Sequence, residues 1–263
     1  MLRERSILTL ISGLVLGPLA VAVLAGGVAA QEEEGPFDLN LEAGASVFFG
    51  ATSQTTAIFK STADYVADHL EFGGRLSFDY GEAQDGAGIT SVTKRSWLAG
   101  GSMDYLPGGT WSPFVFVTGE GSLEKSIDLR VGGGGGIKWT LWEEGDGEFD
   151  LSGAVLYERT DPRVAVGEED EITSLARWSG RARLTYPMAD GRLTFDFISL
   201  YQPEWNEFGN YTLAVDTGLA FNLNSSISLK VSLVDRYDSQ AVDRGARENN
   251  DGRLFFSLVA AVK

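Results

Sequence analysis

The chain alternates between apolar and polar positions along much of its length. The clearest example is His69–Glu82, where Leu70, Phe72, Leu76 and Phe78 are separated by polar residues or glycine. A period of two residues is that of a β-strand whose two faces meet different surroundings, whereas an amphipathic helix spaces its apolar residues three and four apart. A tilted strand of about 9–11 residues crosses a bilayer, so this stretch is long enough to span a membrane.

Twelve stretches show this alternation. They are Phe37–Phe49, Thr55–Ala67, His69–Glu82, Thr93–Tyr105, Trp111–Leu123, Ile127–Leu141, Phe149–Tyr157, Ala176–Tyr186, Leu193–Tyr201, Tyr211–Leu223, Ile227–Tyr237 and Leu254–Val262. The fifth is the least regular, because Phe114 and Phe116 alternate with Val115 and Val117. Short turns and longer polar segments alternate between the stretches, as they do in barrels whose rims face different compartments. The sequence predicts an all-β fold: a single closed antiparallel transmembrane β-barrel of about 12 strands, with short periplasmic turns and longer extracellular loops.

Aromatic residues lie near the ends of the predicted strands, where an aromatic girdle of a membrane barrel is expected. They are Tyr65, Tyr105, Trp111, Trp139, Trp142, Tyr186 and Tyr237. The alternative fold is a secreted or periplasmic β-sandwich that binds a ligand, because sandwich strands also alternate. Sandwich strands are typically about five or six residues long, and most of these stretches are about twice that length, which favours the barrel.

The N-terminal segment has the three parts of a secretory signal peptide. A basic start is followed by a long apolar stretch and by Val28-Ala29-Ala30, which provides the small residues of a cleavage site. This arrangement predicts that residues 1–30 are cleaved, although a retained membrane anchor is the alternative. Residues 31–36 then form a short periplasmic segment and 37–263 form the barrel, which places the protein in the outer membrane of a Gram-negative cell.

The amino-acid composition limits which classes of partner the protein can bind. The formal net charge is −16, which argues against nucleic acid as an electrostatic partner. The 263 residues include 33 glycines and no cysteine, so disulfides, thiolate metal sites and a lipidated N-terminus are excluded. We expect a monomer whose partners are outer-membrane lipid, lipopolysaccharide and the outer-membrane assembly machinery.

Four segments carry a family resemblance. They are L-E-K-S-I-D-L-R-V-G-G-G-G-G at 123–136, Q-P-E-W-N-E-F-G-N-Y at 202–211, T-G-L at 217–219 and D-R-Y-D-S at 235–239. Together they resemble the YdiY-like family of salt-induced outer-membrane proteins, and the resemblance covers most of the mature chain. It implies an outer-membrane barrel but no established activity, so it supplies no functional residues.

The chain departs from that family in two places. The last long loop reads A-V-D-R-G-A-R-E-N-N-D at 241–251, where the family more often has a loop containing proline and lysine. The chain ends in Val262-Lys263, whereas outer-membrane barrels usually end in an aromatic residue that assists assembly.

Residues for catalysis or for binding a cofactor are scarce. His69 is the only histidine and falls in a predicted turn, so a nucleophile–base pair and a zinc site are both disfavoured. The acidic run 168–171 lacks the spacing of a calcium loop. Gly132–Gly136 lacks the residues of a phosphate-binding loop, and alternate glycines on a strand instead let a neighbour approach or bend the wall. The sequence predicts no enzyme and no cofactor, with a membrane-embedded lipid-modifying enzyme as the alternative.

The polar face of the predicted strands is the candidate functional surface. Its candidate lumen-lining residues are Arg75, Asp79, Lys94, Arg130, Lys138, Asp150, Glu158, Arg177, Arg181, Arg183 and Asp196. Ion pairing is expected for each of them, Arg75 included, because isolated charges are costly inside a small barrel. The row Arg177, Arg181 and Arg183 is the candidate exception, because basic ladders select anions.

Asp150, Glu158 and Asp196 could equally neutralise that row. The predicted function is therefore a non-enzymatic barrel that is either a narrow pore for small solutes or ions, or an element of envelope integrity.

Overall fold

A computed structural model describes residues 36–48, 53–84, 89–163 and 172–262 of the chain. The predicted signal peptide, the acidic run 168–171 and Lys263 lie outside the described residues. The described part contains twelve β-strands: β1 (Phe37–Phe48), β2 (Ser53–Ala67), β3 (Leu70–Gln84), β4 (Thr90–Tyr105), β5 (Trp111–Ser122), β6 (Ile127–Glu144), β7 (Gly147–Pro162), β8 (Thr173–Met188), β9 (Leu193–Pro203), β10 (Tyr211–Asn222), β11 (Ile227–Asp238) and β12 (Asn250–Val262). No helix in it is long and apolar enough to cross a membrane.

The strands form a single closed antiparallel barrel. Each strand pairs with its neighbours in the chain, and β1 pairs with β12 through a register that joins Leu39 to Val262 and Ala45 to Phe256. Closure leaves no strand edge unpaired, which is the condition for a sheet in hydrocarbon. The predicted fold is thereby confirmed, and the β-sandwich alternative is wrong.

Several strands are longer than the alternation predicts. β6 has 18 residues and continues through Trp142 to Glu144, and β8 begins at Thr173. Backbone pairing does not depend on side-chain polarity, so a hairpin can continue past the point where its outward face ceases to be apolar. The apolar pattern therefore marks the middle of each strand better than its ends.

The two rims of the barrel differ in their connections. At the short-turn rim the chain reverses over 68–69, 106–110, 145–146, 189–192 and 223–226, and the last described residue, Val262, lies at this rim with Phe37. Tight turns of this kind need left-handed backbone, which Asp68 (φ 46°) and Gly145 (φ 56°) supply. At the opposite, long-loop rim the longer described connections are 204–210 and 239–249.

The outer face of the wall is an apolar band between two aromatic belts. Leu76 and Val117 expose 57% and 63% of their surfaces on this face. Near the short-turn rim the indole rings of Trp111 and Trp139 stack with centroids 5.2 Å apart. Toward the long-loop rim a second belt runs across β9, β10 and β11, formed by Tyr201, Tyr211 and Tyr237. An apolar band flanked by aromatic girdles is the outer surface of a membrane-spanning barrel.

The glycine run lies in the middle of β6, where the backbone of β7 approaches closely. Gly134 and Gly136 face inward, and a Cβ atom at either position would collide with a backbone carbonyl oxygen of β7, that of Val155 or of Gly153. The backbone of β7 thus occupies the space that an inward side chain of β6 would need. Glycine is required there because of the close backbone approach.

Candidate functional site

The inner face of the barrel carries the candidate residues. On β3, Arg75 and Asp79 alternate with the outward-facing Leu76 and Phe78, and directly paired residues on neighbouring strands share a face. The remaining candidates follow the same alternation on their own strands. The lumen they line divides into two halves that differ in how completely its charges are paired.

In the half near the long-loop rim, Asp238 is a buried hub. It is 1% exposed and accepts hydrogen bonds from Arg130 Nη2 at 3.0 Å and from Arg244 Nη2 at 2.6 Å. Arg130 also bonds Glu120 at 2.9 Å and lies 3.5 Å from Glu158. Since β6 and β11 lie five strands apart around the barrel, the Arg130–Asp238 bond spans the lumen.

A second set of ion pairs crosses the same half of the lumen. Lys94 on β4 bonds Asp251 on β12 at 2.6 and 2.7 Å, and Arg253 bonds Asp79 at 2.8 Å and lies 3.3 Å from Asp251. Beside these pairs lies a cavity of about 70 Å³, room for about two waters. We call this system the loop-end network: Asp79, Lys94, Glu120, Arg130, Glu158, Asp238, Arg244, Asp251 and Arg253.

The last long loop extends this network over the mouth of the barrel. Ala241 is 1% exposed, so the loop folds inward. Arg244 Nε donates to the carbonyl oxygen of Lys125, in the turn between β5 and β6, at 3.4 Å. That turn is on the far side of the barrel from the loop, so the loop forms a strap across the mouth. The strap therefore narrows the opening of the lumen at this end.

Arg177 belongs with these structural contacts. Its side chain is 2% exposed, lies 3.3 Å from Glu158, and donates through Nη1 to the carbonyl oxygens of Gln202 at 3.1 Å and Asn210 at 3.2 Å. It therefore holds both ends of the 204–210 loop against the barrel. The predicted row of three arginines is divided, with Arg177 in the tightly bonded half.

In the half near the short-turn rim, Lys230 and Asp196 form an ion pair at 2.9 Å, but the arginines are loosely paired. Arg75, in the middle of β3, forms no ion pair with any described residue, although an ion pair was expected for it. Its direct neighbours on β2 and β4 are Thr62 and Gly100, which offer no carboxylate. Its side chain is exposed to the lumen, and the charges acting on it are those of the arginines Arg181 and Arg236 and, with the opposite sign, of Asp216 and Glu120.

Arg181 and Arg183 continue this basic surface on β8, and with Arg75 we call them the lumenal arginines. Arg181 Nη2 donates to Asp150 at 3.3 Å, and its guanidinium lies 5.9 Å from the Phe114 ring centroid. Its Nε is buried without a hydrogen-bond partner among the described residues. The Arg183 side chain is 45% exposed, and the nearest carboxylate oxygen, on Glu148, is 4.0 Å away.

The other candidates have partners of their own. Lys138 lies 3.8 Å from Asp104 and 4.0 Å from Glu148, and Asp196 accepts a bond from Lys230 at 2.9 Å instead of from the arginine row. Sequence reasoning missed Asp238 and Arg244. The D-R-Y-D-S motif that contains Asp238 was visible, but nothing in it indicates a partner across the barrel.

The described residues offer no catalytic or metal-binding constellation. Within them no group of three or more His, Asp or Glu side chains is arranged to hold a metal ion. His69 is exposed in the β2–β3 turn, and its carbonyl oxygen accepts a hydrogen bond from the Leu106 amide. The inner wall therefore offers charge and shape, and no reaction centre is evident on it.

The chain belongs to the family described as "Protein of unknown function, DUF481", whose model matches residues 41–262. That family includes the YdiY-like proteins, so the sequence resemblance is confirmed at the level of the family. No curated protein sequence matches the chain.

Solved barrels resemble the chain in fold. The NanC porin is 13% identical with a TM-score of 0.48, covering 86% of this chain and 100% of its own. The translocator domain of the autotransporter NalP from Neisseria meningitidis is 7% identical with a TM-score of 0.46, covering 94% and 95%. An anion-selective porin from Comamonas acidovorans is 11% identical with a TM-score of 0.40, covering 86% and 98%. At these identities the likeness concerns the barrel fold alone.

Proposed function

We propose that the protein is a non-enzymatic barrel of the Gram-negative outer membrane that forms a narrow pore for small anions. The apolar outer band, its aromatic belts and the predicted signal peptide support the location. The observation that carries the pore is Arg75, a guanidinium in the middle of the lumen that has no ion pair among the described residues.

Unneutralised charge inside a narrow lumen has a strong effect on ions. Field lines are confined by the low-dielectric wall, so a cationic surface raises the local concentration of anions and repels cations. Arg183 adds to this surface, because its nearest carboxylate oxygen is 4.0 Å away. The lumenal arginines therefore favour anions over cations of the same size, and the carboxylates of Asp64, Glu71 and Asp104 in the same half act against this preference.

The loop-end network limits such a pore. Its ion pairs cross the lumen between β6 and β11 and between β4 and β12, so only narrow paths remain beside them. This same observation favours the second candidate, a barrel whose role is envelope integrity and whose lumen stays closed.

Conductance in planar bilayers tests the proposal. Under a chloride gradient we expect a reversal potential on the anion-selective side, because the lumenal arginines face the permeating ion. The double variant R75Q/R183Q should lose most of that selectivity. The control R159Q/R192Q removes the same charge from an outward-facing position and from an exposed turn, and should retain it.

The outcomes separate the two candidates. Anion selectivity that is lost in R75Q/R183Q and kept in R159Q/R192Q supports the pore. A correctly folded protein that carries no current contradicts the pore and leaves envelope integrity. Recovery of the protein in a fraction other than the outer membrane contradicts the location.

A further inference from the structure

We infer that the lumen contains a binding site for small organic anions with an apolar body, of the class of monocarboxylates. The inference deepens the proposed anion pore and rests on it for passage, but binding itself requires only the inner wall. Apolar and cationic side chains share one stretch of that wall, between β5 and β9.

The apolar part of the site comes from Phe114, Phe116, Ile198 and Leu200. On β5 the two phenylalanines face inward, because Val115 and Val117 are the exposed residues of the outer face at 51% and 63%. Ile198 is directly paired with Asp216, whose carboxylate bonds the inward-facing Arg236 at 2.7 Å, so Ile198 faces the lumen too. It is 39% exposed, an apolar surface left facing water inside the barrel.

The cationic part lies directly beside these residues. Arg181 is paired with Leu200, and Arg183 with Ile198, across the β8–β9 register. Directly paired residues hold their Cβ atoms about 4.5–5.5 Å apart, so each arginine is a neighbour of one apolar side chain. A ligand that bonds a guanidinium here also touches hydrocarbon.

Small residues form the wall between β5 and β8, beneath the Phe114 ring and the Arg181 side chain. Gly134 and Gly136 on β6 and Ala154 and Ser152 on β7 present little or no side chain to the lumen. They form a shallow floor flanked by the Phe114 ring and by Arg181, whose guanidinium lies 5.9 Å from the centroid of that ring.

Unused hydrogen-bond donors face this floor. Arg181 Nη2 donates a hydrogen bond to Asp150, while its Nε is buried without a hydrogen-bond partner in the described part of the chain. Arg75 projects from β3, five strands from β8, and forms no ion pair there. Asp150 and Glu148 lie beside two of the three lumenal arginines, and the carboxylates of Asp64, Glu71 and Asp104 face the same half of the lumen, so the positive charge is confined to the guanidinium groups themselves.

These features select a ligand class. A guanidinium binds a carboxylate through two parallel hydrogen bonds, which accounts for the acidic end. The apolar side chains contribute binding free energy only if the ligand covers them and removes them from water. An inorganic anion or acetate is too small to do so. An aromatic or longer aliphatic carboxylate satisfies both parts, and the carboxylates around the guanidinium groups favour a ligand with one negative charge over a ligand with two.

Calorimetry of the detergent-solubilised full chain tests the site with benzoate and acetate as probes, each corrected for titration into detergent alone. We expect benzoate to bind at least about tenfold more tightly than acetate, the order of discrimination that a small apolar contact provides. R75Q should weaken both probes. I198T should lower the ratio of benzoate to acetate affinity, whereas I137T, the same change on the outer face, should not.

The result that overturns the inference is equal affinity for the two probes in the intact protein, or an unchanged ratio in I198T. Strand content by circular dichroism confirms that each variant is folded. Benzoate binding in a protein that carries no current would retain the site and contradict the pore. Anion-selective current without preference for benzoate would retain the pore and contradict the site.

Discussion

At the scale of single residues, Asp238 shows how the lumen is crossed by ion pairs near the long-loop rim. Its carboxylate is almost fully buried and is satisfied by two guanidinium groups, one from β6 and one from the strap. A buried carboxylate is tolerated only when it is paired in this way. Removing its charge leaves Arg130 and Arg244 buried without their shared partner.

We predict that D238N lowers the free energy of unfolding by about 3–5 kcal/mol, the usual cost of breaking a buried ion pair on one side. Urea unfolding of the refolded barrel, followed by tryptophan fluorescence, measures the change. The control D146N removes a carboxylate from an exposed turn and should change the free energy by less than about 0.5 kcal/mol. An unfolding free energy for D238N within that limit would show that the network adds no stability.

The sequence predicts whether most side chains face the lumen or the lipid, but it does not predict which side chains form ion pairs with one another. Alternation assigns Arg75 and Leu76 to opposite faces directly. It fails on β5, where Phe114 and Val115 are both apolar, and only the register shows which of them faces the lumen. The Arg130–Asp238 bond joins residues 108 apart in sequence and depends on how twelve strands stagger around the barrel, which no local pattern encodes.

At the scale of elements, the β6–β7 hairpin brings the backbones of two strands close together at Gly134 and Gly136. Its glycines were visible in the sequence, and the interpretation that they let a neighbour approach agrees with the close approach of Gly134 and Gly136 to the backbone of β7, whereas bending of the wall stays a prediction. The number and order of strands could likewise be predicted, because each membrane crossing repeats the same pattern. Their ends could not, since pairing extends into residues that do not alternate.

We predict that G136A destabilises the barrel by about 1–3 kcal/mol or more, because the added methyl group meets the Gly153 carbonyl oxygen and the Ala154 Cβ. G153A is the matched control on the facing strand, where a Cβ atom would meet nothing within 4 Å. Urea midpoints of the two variants provide the comparison. Equal urea midpoints for G136A and G153A would mean that β6 and β7 move apart enough to accommodate the methyl group, and that the glycines are not required.

At the scale of the whole molecule, the barrel is asymmetric along its axis. The long-loop half is crossed by short ion pairs, the shortest at 2.6 Å, while the charges of the short-turn half are separated by up to 4.0 Å. The longest described loop closes the tightly paired end. A solute entering from the short-turn side would therefore reach the lumenal arginines before it met the constriction, and the strap then decides whether it leaves on the other side.

For the proposed pore, we predict from this asymmetry that Arg244 controls the current. R244A removes the charge-assisted bond to Asp238 at 2.6 Å and the bond to the Lys125 carbonyl, which together hold the strap over the mouth. One such charged bond is worth about 1.5–3 kcal/mol, so the equilibrium between closed and open strap should shift by about tenfold or more. Single-channel recordings should show a higher open probability for R244A than for the unaltered protein. R247A lies in the same loop with its side chain 95% exposed and should leave the open probability unchanged. Equal open probabilities for R244A and R247A would show that the strap does not close the lumen, and that the ion pairs of β4, β6, β11 and β12 alone restrict the path.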